Sequence, residues 1–243
     1  SGKFGEAMQF DGLDPNGDYI EIKDNPSIST GDYNFTITTW VFMHGGSTAG
    51  RGIARKGDSG GTSEWTLRLS GADKPSFYVS STGSNIVGDT DYSRALSKDT
   101  WHFIAAWHDS TLDTTNMQLD GGPITAVSTS GSAPADRAGD LFIGKNDTSQ
   151  GFNTFNGSID EFAFWNRTLS QDERAELAGA KIVDYSQYGN NGTRVFNTTS
   201  DFGRNFTDGK FSKALVFDGV NDLVNVSNEA NFDNASSGSG PVT

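Results

Sequence analysis

The sequence predicts an all-β protein: two antiparallel sheets stacked as a sandwich, with one short helix after the last motif strand. Three observations predict it. Aromatic and β-branched runs such as Asn34–Met43 and Trp101–His108 alternate with a period of two. Thirty Gly punctuate the chain, as many short strands joined by tight turns require. Seventeen Phe and five Trp suffice for one sandwich core, at roughly 150–250 Å² buried per ring.

In chain order, Ala7–Phe10 and Tyr19–Ile22 read as two strands about the turn DGLDPNGD. Asn34–Met43, NFTITTWVFM, is a long strand with Phe35, Ile37, Thr39 and Val41 on one face and Trp40 on the other. Gly45–Gly61 is a Gly-rich loop around a weak strand, Gly52–Lys56. Trp65–Leu69 and Ser76–Ser80 follow as strands. Trp101–His108 pairs with Met117–Leu119 across the polar loop Asp109–Asn116. Asp140–Gly144 then leads to Phe155–Glu176, the stretch to which everything else aligns. There Ile159, Glu161 and Ala163 alternate with Asp160, Phe162 and Phe164, which predicts a strand covered on both faces. The period then switches. Ser170 and Glu173 form a capping box, Gln171–Ala178 is a short helix, and Gly179 ends it.

The chain repeats itself. Gly2–Gly12, GKFGEAMQFDG, returns as Gly209–Gly219, GKFSKALVFDG, and Asp18–Ile22 returns as Asp222–Val226. Phe4 and Phe211 stand 207 positions apart. The expected organisation is one domain over 1–180 and the opening segment of a second copy over 181–243. Before the second copy runs IVDYSQYGNNGTRVF, residues 182–196, with no counterpart ahead of the first. The first copy is therefore expected to take an opening strand from elsewhere. Either 183–196 folds back, or a neighbouring copy supplies it, and the duplicated tail favours the neighbour.

These motifs, in this order, resemble the laminin-G-like (LamG) jelly roll, a branch of the concanavalin A-like lectin/glucanase superfamily. The resemblance rests on GKFGEAMQFDG…DYIEI, FTITTWVF, TWHFIAAWHD…MQLDGG, LFIGKN and FNGSIDEFAFWNRTLSQDE, and DYSQYGNNGT resembles that family's opening segment. It spans 3–180 nearly throughout and resumes over 183–243. It implies two curved antiparallel sheets, but not a function, since the fold hosts lectins, adhesion modules, enzymes and spacers. Enzymes of this fold carry E-x-D-x-x-E on one strand, where this chain has only the adjacent Asp160 and Glu161; Glu21 and Glu64 stand alone. No catalytic residue is expected, because glycoside hydrolysis needs two carboxylates facing one sugar. The family often holds Ca²⁺ where the FDG turn meets the IDE strand, which implies Asp11 and Asp160 as ligands and Asp14, Asn16 and Asp18 as further oxygens. The alternative is that these carboxylates cap turns by accepting backbone N–H groups. Trp40, Trp101 and Trp165 match positions usually in the core. Trp65, Tyr78, Tyr92 and Trp107 remain as candidates for a sugar platform.

Charge and motifs narrow the partners. A net charge of -13 argues against nucleic acid. No apolar stretch approaches the roughly 20 residues of a membrane helix, and none reads as a signal peptide. With no Cys, there are neither disulfides nor thiolate metal sites. His44, His102 and His108 form no metal-binding spacing, and His102 and His108, flanking a strand, are expected at the surface. Nine N-x-[ST] sequons, at Asn34, Asn146, Asn156, Asn166, Asn191, Asn197, Asn205, Asn225 and Asn234, suit an exported glycoprotein. Asn146, Asn191 and Asn197 are expected to lead, since they sit in polar loops. The expectation is a non-catalytic extracellular or cell-surface repeat serving adhesion or assembly, with neighbouring copies, glycans or surface glycoproteins as partners. The alternative is a calcium-dependent carbohydrate-binding module.

Overall fold

The computed structural model describes residues 2–13, 17–45, 50–58, 63–82, 85–148, 151–179, 181–182, 192–195, 206–208, 213–215, 217 and 223–226. The chain divides into two compact units, Ser1–Leu169 and Ser170–Thr243.

The first unit contains β1 (Met8–Asp11), β2 (Ile20–Ile22), β3 (Phe35–Met43), β4 (Gly52–Lys56), β5 (Trp65–Leu69), β6 (Pro75–Ser80) and β7 (Ile86–Asp91). It continues with β8 (Trp101–Asp109), β9 (Thr114–Leu119), β10 (Ile124–Ser128), β11 (Leu141–Ile143), β12 (Lys145–Thr148), β13 (Gly151–Thr154) and β14 (Asn156–Trp165). Two six-stranded sheets result, ordered β1-β14-β3-β8-β9-β10 and β2-β11-β4-β5-β6-β7, with β12 and β13 paired apart. Every pairing in them is antiparallel. The two-sheet sandwich is as the periodicity predicts.

The inner faces meet in one core. Phe35 of β3 packs edge-on against Phe77 of β6 at 6.4 Å, and Trp65 of β5 stacks on Phe164 of β14 at 6.5 Å. One ion pair is buried with them. The Lys56 ammonium, with no exposure, donates to Asp24 Oδ1 and Glu64 Oε1 at 2.7 Å each and to the Gly139 carbonyl at 2.8 Å. Burial pushes the Lys56 pKa down, but the two carboxylates outweigh it and hold the group charged. Glu64 is thus a structural partner.

Three sequence expectations are corrected. β1 and β2 are not a hairpin: β1 pairs with β14 in one sheet and β2 with β11 in the other. Along β14 the alternation breaks at a bulge. Asp160 faces Trp40 and Ala163 faces Thr38, so Glu161 and Phe162 both lie opposite Thr39, with Glu161 at φ 49°. The extra residue resets the face, and Ile159, Phe162 and Phe164 all pack toward the core. Third, His102 and His108 are buried. His102 Nδ1 lies 2.7 Å from Asp120 Oδ2, while its Nε2 accepts the Ser97 N–H at 3.0 Å, which assigns Nδ1–H as the donor.

The second unit opens with α1 (Gln171–Leu177). Both halves of the capping box form: Glu173 N–H donates to Ser170 Oγ at 3.2 Å, and Ser170 N–H donates to Glu173 Oε2 at 2.8 Å. Gly179 follows at φ 69°, a left-handed stop. Then come β15 (Lys181–Ile182), β16 (Gly192–Val195), β17 (Phe206–Asp208), β18 (Lys213–Leu215) and β19 (Leu223–Val226). They form an antiparallel sheet β15-β16-β19 and a pair β17-β18.

Candidate functional site

Alternation along β3 turns Phe35, Ile37, Val41 and Met43 into the core and leaves Thr36, Thr38, Trp40 and Phe42 on the outer face. Register with β8 sets Trp107, Ala105, Phe103 and Trp101 opposite those four. The outer face of this sheet therefore carries a row of rings. Trp40 lies 5.4 Å from Phe103, and Phe42 lies 5.3 Å from Trp101. One end of the row is covered. Lys3 places its ammonium 4.5 Å from the Trp40 ring centre and Phe4 meets that ring edge-on at 6.0 Å, so Trp40 is 1% exposed.

The other end is open. A cleft of about 270 Å³ is lined by Gln9, Ser158, Phe42, Trp101 and His44. The first four are cross-strand partners in sequence: Gln9 faces Ser158, Ser158 faces Phe42, and Phe42 faces Trp101. They cross four adjacent strands, a row roughly 14 Å long at about 4.8 Å per strand. Two half-buried rings thus stand in line with a hydroxyl and an amide. His44, exposed at the rim, sets its ring 5.1 Å from Phe42 and its Nδ1 3.1 Å from Asp99 Oδ1. Gly157 supports the row from below: at φ 150°, a Cβ there would stand 2.0 Å from the Phe42 carbonyl oxygen. Only glycine lets β14 approach β3 so closely. Aromatic faces offer a sugar's C–H groups a platform, and the amide, hydroxyl and imidazole beside them can bond its hydroxyls.

The aromatic residues nominated from sequence lie elsewhere. Trp65 is fully buried, and Tyr92 joins the same core while donating its hydroxyl to the Pro123 carbonyl at 2.9 Å. Trp107 and Tyr78 are also buried, Tyr78 beneath the Arg68 guanidinium at 4.9 Å. None of the four offers an exposed face. Sequence reading missed Phe42 and Trp101, the latter assigned to the core. The alternation of NFTITTWVFM and WHFIAAWH contained both outward positions, but not where the Lys3–Phe4 cover stops.

The expected calcium ligands are not brought together. Met8 faces Ile159 and Asp11 faces Asn156, so Asp160 stands level with Ala7, roughly 13 Å along the strand from Asp11. One Ca²⁺ holds its oxygens at about 2.3–2.6 Å and cannot bridge that span. Each carboxylate accepts backbone N–H groups instead: Asp160 from Phe4 and Glu161 at 2.9 Å each, Asp11 from Leu13 and Asp18 at 3.0 and 3.2 Å. Asp14 and Asn16 lie outside the described residues. Among the described residues no cluster of three His, Asp or Glu side chains is placed to hold a metal. Asp11 and Asp160 do not fit one shared calcium site.

The sequons sort by burial. Asn146, expected to lead, lies on β12 at 1% exposure and donates its amide to the Gly50 carbonyl at 2.9 Å. That amide is withdrawn from any modifying enzyme in the folded protein. Asn34, half-buried, accepts from the Ser110 N–H and hydroxyl, and Asn156 is half-buried on β14. Asn166 and Asn225 are exposed. Asn191, Asn197, Asn205 and Asn234 lie outside the described residues.

The Laminin_G_3 family model, described as the Concanavalin A-like lectin/glucanases superfamily, matches residues 14–173. No curated protein matches the chain. Among solved structures it is similar to domain 4 of AbnA, a GH43 extracellular arabinanase from Geobacillus stearothermophilus, in complex with arabinotriose. The TM-score there is 0.56 at 17% identity, over 73% of this chain and 78% of that one. The CBM40 of the Ruminococcus gnavus IT-sialidase, bound to α2,3 sialyllactose, is similar with a TM-score of 0.57 at 13% identity, over 71% and 97%. The binding domain of Paraclostridial Mosquitocidal Protein 1 gives 0.58 at 14% identity, over 91% and 61%. At such identities the likeness is one of fold.

Proposed function

Because the chain belongs to the concanavalin A-like lectin/glucanase superfamily, we propose that it is a non-catalytic carbohydrate-binding unit of an extracellular or cell-surface repeat protein, serving adhesion. One observation carries the reading: the open row Gln9, Ser158, Phe42 and Trp101, where two rings and two polar side chains line one cleft. Two structures of the same fold were solved with arabinotriose and with a sialyllactose, which supports an oligosaccharide as ligand. The lining supplies rings, amide, hydroxyl and imidazole, whereas hydrolysis requires two carboxylates about 5–9.5 Å apart across the scissile bond. Such a lining supports binding rather than turnover.

Calorimetry against a panel of neutral oligosaccharides tests this. At least one ligand should bind, and Trp101→Ala should weaken it tenfold or more, since stacking on a ring supplies most of the contact area. Equal affinity in Trp101→Ala, or release of reducing sugar by the unmodified protein, would sink the reading.

A further inference from the structure

We propose that the edge formed by β1 and β2 is a strand-docking surface, and that its occupant is the segment Gly192–Val195 of a second copy of this chain. This rests on the reading of the chain as one unit of a repeat array.

Among the described residues β2 has one neighbour, β11, and β1 has one neighbour, β14, so each is the outermost strand of its sheet on the same side of the sandwich. An unpaired edge presents a row of N–H and C=O groups to any strand that can reach it. Beside this edge the core itself is open. A cleft of about 170 Å³ is lined by Met8, Phe10, Ile20, Ile143, Ile159 and Phe162, with Glu6 and Glu161 also on its wall. Met8 on its wall is exposed, and so is Ile22, which shares a face of β2 with Ile20. A monomer that left this surface to water would forgo the burial of several apolar groups.

The internal repeat says what fits there. Leu223–Val226 is the second copy of Tyr19–Ile22, and the two share one exposure pattern: only the second residue, Val224 or Ile20, is half-buried. In the second unit this strand is not bare. β16 pairs with it antiparallel, Gly192 facing Val226, Thr193 facing Asn225, Arg194 facing Val224 and Val195 facing Leu223. The counterpart of Glu6–Met8, β18, is likewise partnered, by β17. The β2 sequence thus occurs twice, paired with β16 in the second copy and with β11 alone in the first.

Carrying the β16 register onto the first copy sets Val195 opposite Tyr19, Arg194 opposite Ile20, Thr193 opposite Glu21 and Gly192 opposite Ile22. Directly opposed residues share a face. Arg194 therefore falls on the face of Ile20, where the cleft combines an apolar floor with the exposed carboxylates of Glu6 and Glu161. A long aliphatic stem ending in a guanidinium matches that lining. Docking replaces β19 by its own sequence counterpart, β2, so β16 keeps an equivalent partner while the open core is covered. Because donor and acceptor surfaces differ, the contact is head-to-tail and can propagate into chains.

The chain has no Cys, so an introduced pair reports alone. Opposed Cα atoms across antiparallel strands stand roughly 4.5–5.5 Å apart, within disulfide reach. The full 243-residue chain carrying Glu21→Cys and Thr193→Cys is oxidised and run without reductant. A ladder of covalent dimers and larger species is expected. A covalently closed monomer would overturn the second-copy occupant in favour of self-closure, and thiols that stay free would overturn docking at this edge. Tyr19→Cys with Val195→Cys repeats the test at a second register position if the first pair unfolds the protein. Sedimentation of the Cys-free chain should show association that Arg194→Glu weakens at least tenfold; an unmoved equilibrium contradicts the proposal. A monomer that still binds sugar through Trp101 defeats the assembly alone, and an oligomer that binds none defeats the carbohydrate reading alone.

Discussion

Asp160 shows how one residue type serves two chemistries. The residue is 8% exposed, and its carboxylate already accepts two backbone N–H groups, from Phe4 and Glu161. Removing it leaves those donors unsatisfied and loosens the Lys3–Phe4 cover over Trp40, at a cost of about 1–3 kcal/mol. Asp160→Ala should therefore lower Tm by the same amount in EDTA and in millimolar Ca²⁺; a loss seen only with Ca²⁺ would restore a metal role. His108 makes a second residue-scale case. It is buried against Phe35, ring centres 5.9 Å apart, with Asp32 Oδ1 3.6 Å from Nε2, too long for a hydrogen bond. Burial lowers its pKa below the ordinary 6.5, against the pull of Asp32. The folded state then binds fewer protons than the unfolded one below about pH 6.5, so this stability is present above that pH and lost as pH falls beneath it. Urea midpoints should drop between pH 7.5 and 5.5, and His108→Phe should flatten the drop. A wild-type midpoint that holds steady would rule this out.

The decisive element is β14. It joins β1 to β3, carries Ser158 into the cleft and Asp160 beneath the cover, and its bulge then turns Phe162 and Phe164 toward the core. Strands alternate strictly, so one extra residue moves every later side chain to the other face. Deleting Glu161 should send Phe162 and Phe164 outward and abolish cooperative unfolding. Glu161→Gly, by contrast, suits φ 49° without a Cβ and should leave the unfolding free energy within about 1 kcal/mol of wild type. Near-UV circular dichroism and thermal melts of the two variants decide the matter. Equal stability of both would mean the bulge is incidental. The helix α1 needed no such context, because its capping box is local chemistry between residues three apart.

At the scale of the whole molecule, charge selects the partner. The chain carries -13 with a sequence pI of about 4.5, a field that repels anionic polymers at low salt. Neutral oligosaccharides should bind at least tenfold better than uronate or sulfated ones at 20 mM salt, with the gap narrowing at 300 mM as screening grows. Sulfated glycans binding best at low salt would contradict it. What the sequence determined by itself was everything set by near neighbours. Period-two runs marked β3, β5 and β8, the Ser170–Glu173 pair marked α1, and the GKF motif is read twice along the chain. Periodicity also told which side chains share a face of β3. It did not tell which faces are covered, because burial is settled by residues far along the chain. Lys3 and Phe4 cover Trp40 but stop short of Trp101, so only tertiary structure distinguished those two tryptophans. Nor could alternation reveal the bulge at Glu161, the roughly 13 Å between Asp11 and Asp160, or the crossing of β1 and β2 into different sheets. Each of these is a matter of register between strands, and register is chosen by the packing of two sheets on one core rather than by any single strand.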